Sequence, residues 1–463
     1  MQVKLELSGP NEVFANGAPR RVYRPVLEEL ERMGARGWEE RARRMKEKLL
    51  AEQHGYGVTQ GDRTHPTDWF PRVIPASDWE RLERGLSQRM RAVNEFLRRL
   101  EAGKEEVVPR EVIESSALYD ASTPDRFGDV PARQMGFDLV ADESHEGGGS
   151  WEYLVIEDNA RMPVGAMSMS RLRTLTPEVF PESFAALGVR PLGDLVGRLG
   201  GVLRAASPKG ADATLAILST GPDDQYYLDH NLFAEETGAI LAERHEVEVE
   251  GGGYFVHRGS GRRIDVVYER IEDGRIYDDH PGLVGAHLEG KAHAIFPPNV
   301  TVVDDKGVYA FVPEMIRTYL GEEPLINNVE TWSLAVEEDR RHVMDRFGEL
   351  VVKSRSGWGG KDVLIGPDES KDAIRDFREM VEQNPAEYVA QKPIDFSTHV
   401  LCKTQDGELV LRDSYADYRV HALSPDPDTV EVVPGAMTRV AAPGSRLVNI
   451  SSGGVMKDTW VLG

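Results

Sequence analysis

The stretch VVKSRSGWGGKDVLIG, residues 351–366, limits the fold more than any other part of the chain. An apolar run ending in Lys353 leads into Ser356, Gly357, Gly359 and Gly360, and a second short apolar run follows. Glycines at that density suit a loop whose backbone amides approach phosphates, because any Cβ would block close contact. A dinucleotide fingerprint needs its glycines to open a helix; here they open a strand. A P-loop needs its lysine followed by Ser or Thr, and Lys361 is followed by Asp362. Both common phosphate-binding patterns are excluded, and a strand–glycine loop–strand hairpin remains.

Other residues fit the same chemistry. Lys306 follows VVDD, and EYVAQKPIDF places Gln391, Lys392, Pro393 and Ile394 at a strand end. Pro393 has no N–H, so an amide donated to a purine would come from Ile394. Much earlier, VIEDNAR sets Glu157 and Asn159 two apart on a strand, hence on one face, with Asp158 on the other in a structural role. Asp138 lies on the strand that the EGGGS turn folds back alongside. Two carboxylates and an amide oxygen are hard oxygen ligands suited to Mg²⁺, with substrate phosphates completing the shell.

The chain has three textures. Residues 1–135 are dominated by helix signals: RPVLEELERM opens with Pro25 near a first helical position, and SDWERLERGL carries a capping box at Ser77 and Glu80. Leu82, Leu86, Met90, Val93, Leu97 and Leu100 then recur at helical spacing until Gly103. From 136, FDLVAD and WEYLVIEDN read as two strands, and ATLAILSTGPDDQYYLDHNLFAEETGAILAE as a βαβ unit with a parallel sheet. The last third alternates short strands (ELVVK, DVLIG, EYVAQ, ELVLR, VEVVP, MTRVAA, RLVNI) around one helix, an α+β texture. The expected boundaries are 1–135, 136–210, 211–300 and 301–463.

A formal charge of −23 argues against nucleic acid as a partner, since phosphate-backbone binding needs a basic face. The single cysteine, Cys402, rules out an intrachain disulfide and sits in an alternating run as a buried strand thiol. No run approaches 18 apolar residues and the N-terminal stretch lacks an apolar signal core, so a cytoplasmic protein without a membrane span is expected. Two polar groups stay open between roles. Asp223, Asp224 and His230 in the βαβ unit either hold an amine or cap a turn; Arg20, Arg21 and Arg24 either meet a carboxylate or are solvated.

Taken together, these motifs resemble the ATP-grasp superfamily in its circularly permuted branch, similar to glutathionylspermidine synthetase-like proteins. Lys306, Lys353, the 356–360 loop, Gln391–Ile394, DYRV, MTRV and NISSGG follow in the superfamily's order, while FDLV…IEDNARMP stands near residue 140 instead of last. The phrases DDKGVYAFVPEMIR, PGAMTRVA and SSGGVMKDTWVL are the most specific part of the likeness. The resemblance implies a multi-domain α/β and α+β fold, a permuted ATP-grasp core with a helical N-terminal region and a βαβ domain like that preceding other ATP-grasp cores. It implies ATP and Mg²⁺, an acyl-phosphate ligase, and a carboxylate and an amine as substrates. Lys306, Lys353, Ser356, Gly357, Gly359, Gly360, Gln391, Lys392 and Ile394 would hold ATP. Asp138, Glu157 and Asn159 would hold the metal. Arg161, Arg419 and Arg439 would face the transferred phosphate or acyl intermediate, and Asn449, Gly453 and Gly454 the acceptor side. The relatives have arginine where this chain has Gly136, so that task passes to Arg133 or Arg161, or is absent; Trp358 is an unusually bulky loop residue. The competing expectations are a non-catalytic nucleotide-binding protein and a small-molecule kinase.

Overall fold

The computed structural model describes residues 3–8, 11–55, 65–142, 151–271, 281–357, 362–395, 397–448, 450 and 453–463. Its centre is a ten-stranded sheet built from both ends of the sequence. Across it run Asn327–Asn328, Glu152–Asn159, Gln134–Asp142, the long strand Glu408–Asp426, Met437–Val440, Val455–Val461 and Arg72–Ile74. Val3–Glu6, Thr398–Gln405 and Thr429–Val432 also pair with the long strand. ELVLR and DYRV are thus two parts of one 19-residue strand.

Period-two alternation gives this sheet two different faces. Phe137, Leu139, Tyr418 and Val420 belong to the main hydrophobic core. Helix Ala76–Glu101 packs into the same core through Leu82, Leu86, Met90, Val93 and Leu97, with Leu100 at its margin. Each such side chain contributes about 1.5–3 kcal/mol on burial. The intervening residues, Gly136, Asp138, Arg419 and His421, stand on the other face and form the candidate site.

The predicted capping box is corrected. The helix begins at Ala76 with Pro75 as its cap, and no side chain accepts from its first turn. Pro75 fixes the entry with its own φ of −60°, and Asp78 instead accepts from the Tyr153 hydroxyl. Gly103 does end the helix, at φ +64°. RLVNI is not a strand in its described residues; Arg446 turns aside to pair with Asp368 and Asp395. The helical N-terminal region also supplies two strands, Val3–Glu6 and Arg72–Ile74, to the central sheet.

Among the smaller sheets, two are four-stranded. His293–Ala294, Val266–Glu269, Leu215–Ser219 and Ile240–Glu243 form an all-parallel sheet, with helix Tyr227–Thr237 as the crossover between the last two. Thr331–Ser333, Tyr388–Gln391, Val351–Ser354 and Val363–Ile365 form an antiparallel sheet, against which helix Lys371–Gln383 packs Val381 and Phe377. Lys353 pairs with Val363 across the hairpin that brackets the glycine loop. Among the described residues no helix is long and apolar enough to cross a membrane.

Candidate nucleotide and metal site

Three strands align their charged residues in one row. Glu157 stands opposite Asp138, and Asp138 opposite Arg419, across adjacent strands of the large sheet. Arg419 Nε donates to Asp138 Oδ1 at 2.5 Å and its Nη2 to Oδ2 at 2.8 Å. Arg439 donates from Nη2 to Asp138 Oδ2 at 2.8 Å, and from Nε and Nη2 to Asp417 at 2.8 and 2.7 Å. Burial pushes the Asp138 carboxyl up, but the guanidinium charges of Arg419 and Arg439 outweigh it and hold the group well below the usual carboxylate range. Gly136 makes room for this: a Cβ there would lie 3.1 Å from Arg419 Cδ and 3.0 Å from Pro163 Cβ.

The three consecutive residues 304–306 tie this row to the glycine loop. Asp304 accepts from the backbone N–H groups of Ala160 and Arg161, fixing the turn after Asn159. Burial raises its carboxyl to about 7 against those two donors. Asp305 caps its own short helix through Gly307 N and pairs with the buried Arg355, whose guanidinium also donates to Val112 O, Ala386 O and Ser115 Oγ. Lys306 Nζ lies 2.8 Å from Gly357 O and 3.1 Å from Glu157 Oε1. One ammonium therefore joins the early metal-type motif to the late phosphate-type loop, which lie two hundred residues apart in sequence.

The remaining expected residues distribute as follows. Lys353 is half-buried on the same hairpin, and burial, then the Lys306 charge, push its ammonium down to about 8. Gln391 is buried and donates to Thr331 Oγ1; Lys392 is exposed and its N–H donates to Glu330 O; Ile394 is half-buried. Ser356 is exposed beside the loop. Arg161 is half-buried beside Asn159. Gly453 N–H donates to Ile450 O, and Gly454 is buried just before the last strand. Gly359, Gly360, Trp358 and Asn449 lie outside the described residues. Asp158 takes the structural role expected of it, buried in a bidentate pair with Arg89 at 2.6 Å. Cys402 is a buried strand thiol whose pKa burial raises. Asp224 is absorbed by a turn, accepting from Tyr226 N and Thr220 Oγ1. Arg133 donates to Pro425 O.

The oxygen donors of this row fit a divalent ion in part. Among the described residues no three His, Cys, Asp or Glu side chains are grouped to hold a metal. Asp138 Oδ2 already accepts two guanidinium bonds and Oδ1 one. Glu157, one of whose oxygens faces Lys306, and the Asn159 amide oxygen remain, and such oxygen donors fit Mg²⁺ when substrate oxygens and water supply the rest of the shell. The sequence reading missed Asp304, Asp305, Arg355 and Asp417. The DDK triplet before the short helix was the available signal for two of them.

Comparison with known proteins places this architecture. Residues 71–441 match the family described as Circularly permuted ATP-grasp type 2, and the chain belongs to it. Among similar proteins, one from Frankia alni named "Putative glutamate--cysteine ligase 2-3" is 35% identical over 98% of this chain, which spans 54% of that protein's length. An uncharacterized protein of Synechocystis is 34% identical over 97% of this chain and 96% of its own. In three dimensions the chain is similar to a glutathione synthetase-like effector from Globodera pallida, solved in the apo form. That match has a TM-score of 0.58, 12% identity, and covers 90% of this chain and 96% of the other. It bears out the fold.

Proposed function

We propose that the chain is an ATP-dependent carboxylate–amine ligase that makes an amide bond through an acyl phosphate and releases ADP and phosphate. The observation that carries this is the Lys306 ammonium between Glu157 and the Gly357 carbonyl, which sets oxygen ligands opposite a phosphate-type loop. Family membership and the name of the Frankia relative support it.

In this reading a substrate carboxylate oxygen attacks the γ-phosphorus of ATP, and the bond to the ADP oxygen breaks. An amine nitrogen then attacks the acyl carbon; the C–N bond forms, the C–O bond to phosphate breaks, and the amine proton leaves to a nearby carboxylate or water. Such transfer depends on positioning and charge neutralisation. Lys306 and Lys353 neutralise phosphate oxygens, and the family resemblance assigns Gly357, Gly359 and Gly360 to the same phosphates. Gln391, Lys392 and Ile394 flank the purine. Arg419 and Arg439, whose Nε and Nη2 are fixed on Asp138 and Asp417, stabilise the developing charge. Arg161 serves the same charge from the turn that Asp304 holds, and Asn449, Gly453 and Gly454 line the acceptor side. Mg²⁺, held by Glu157 and Asn159 with Asp138 behind them, would neutralise phosphate oxygens when bound.

The test is ADP and phosphate release with ATP and paired carboxylates and amines, beginning with L-glutamate and L-cysteine, followed by mass spectrometry of the product. A condensed amide formed with one ADP per bond is expected. No ADP with any pair refutes the reading; a stable phosphorylated acid without amine consumption makes the protein a kinase.

A further inference from the structure

Beside the charged row lies a second, unassigned cleft. It opens at the carboxyl ends of Leu215–Ser219 and Val266–Glu269 in the parallel sheet, where open α/β sheets bind ligands. Its other wall is the loop Pro163–Gly165 and the start of helix Ala166–Val179, four residues beyond Asn159. The free volume at its base is about 20 Å³, on the order of one or two water molecules, so only the tip of a ligand enters it.

The cleft is built from donors that lack acceptors. Arg270 is 8% exposed, and its Nη1 is buried with no hydrogen-bond partner. Among the described residues no carboxylate pairs with it; its guanidinium carbon lies 5.4 Å from the Tyr268 ring centroid, and the Tyr268 hydroxyl is its one side-chain hydrogen-bond partner there, leaving Nη1 open. His230 is 2% exposed and its Nε2 is likewise unpartnered. Ser219 Oγ accepts from Gly221 N–H and lies 2.9 Å from His230 Nδ1. In the tautomer where Ser219 donates to Nδ1, His230 carries its hydrogen on Nε2 and offers a second donor to the cleft. Burial and the Arg270 charge push the ring down to about 3, so it is neutral at working pH. Asp229 also borders the cleft, but is turned to Ser168 Oγ and Arg171. The helix wall adds the partial positive charge of its first turn, which no side chain caps.

A buried cation with an open N–H beside a neutral N–H donor, both without acceptors, is costly unless a ligand completes it. We infer that this cleft binds a carboxylate of the acid substrate other than the one that reacts, through Arg270 and His230. The inference rests on the ligase reading and narrows it: the acid carries at least two carboxylates. The loop Pro163–Gly165 joins the two sites. Its Gly165 has φ +110°, and a Cβ there would press on Met437 at 2.9 Å, so this wall is fixed against the site's own strand.

The test uses the full chain, with calorimetric titration of L-glutamate, glutarate and succinate into wild type, Arg270→Met and His230→Leu, each also titrated with acetate. Wild type is expected to bind at least one dicarboxylate more tightly than acetate. Arg270→Met is expected to weaken it by about 10- to 100-fold, the range for a charge-assisted hydrogen bond. His230→Leu should weaken it less, because a neutral donor is lost. The unliganded Arg270→Met protein should melt no lower than wild type, since an unpartnered buried charge has been removed. The proposal is overturned if no dicarboxylate binds wild type, if Arg270→Met binds as well as wild type, or if that variant melts several degrees lower. ATP titration and ADP release, read separately, decide the ligase reading. Its failure with intact dicarboxylate binding would leave an acid-binding site in a protein that does not ligate.

Discussion

Asp138 distinguishes a structural anchor from an open metal ligand, and the difference is measurable without substrate. Replacing it with Asn keeps the shape but removes the charge that Arg419 relies on. The Arg419 side chain hydrogen-bonds only to Asp138 among the described residues, whereas Arg439 retains Asp417. Removing one partner of a buried pair costs about 3–5 kcal/mol, because the other charge stays buried without compensation. Unfolding entropy of about 2.1 cal/mol/K per residue, over 463 residues, makes 1 kcal/mol worth roughly 1 °C if the chain melts as one unit. Asp138→Asn should therefore lower Tm by about 3–5 °C in calorimetry with EDTA present and no nucleotide. Were Asp138 chiefly a metal ligand, the metal-free protein would be indifferent to the change, or would gain stability. An unchanged or higher Tm in EDTA would refute the anchor reasoning.

Glu157→Gln should abolish ADP release yet lower the metal-free Tm by less than Asp138→Asn does, because Glu157 is partly exposed and the buried Lys306 keeps its bond to Gly357 O. Equal turnover would show that Glu157 does not serve the reaction. Lys353, with its ammonium brought down to about 8, should bind ATP well at pH 7 and progressively worse as pH rises through 8. Lys353→Arg should flatten that dependence in calorimetry, and Lys353→Ala should weaken binding at every pH. Finally, burial depresses His230 and His421 to about 3 and takes His399 well below its ordinary value. Such groups favour the folded state above their unfolded pKa near 6.5, and that contribution is lost as pH falls toward the folded values. Stability should drop below pH 6.5 by up to about 1.4 kcal/mol per pH unit for each histidine. Denaturant midpoints at pH 7.5, 6.0 and 5.0 check it, and His399→Gln should reduce the slope.

Much of the fold could be read from local pattern. The hairpin about the glycine loop, the βαβ unit and the stripe from Leu82 to Leu97 are set by period and turn residues within a short window. Glu157 and Asn159 were separable from Asp158 because strand alternation alone assigns faces. Long-range chemistry was hidden. That Arg419 and Arg439 clasp Asp138 depends on the register of strands nearly three hundred residues apart, which no window contains. The roles of Asp304 and Asp305 depend on which backbone and guanidinium groups arrive beside them. The helix cap was misread because Ser-x-x-Glu is present but Pro75 had already set the cap two residues earlier.

The Asp138–Arg419 pair closes over 281 residues of chain. At about 5–20 residues per second of synthesis, the strand carrying Asp138 waits roughly 15–55 s for its neighbour to leave the ribosome. Through that interval one side of Gln134–Asp142 has open backbone groups and a carboxylate with no cation beside it. A nascent protein of this design has an exposed sheet edge for most of its birth, and its yield in the cell should track how well chaperones shield that edge.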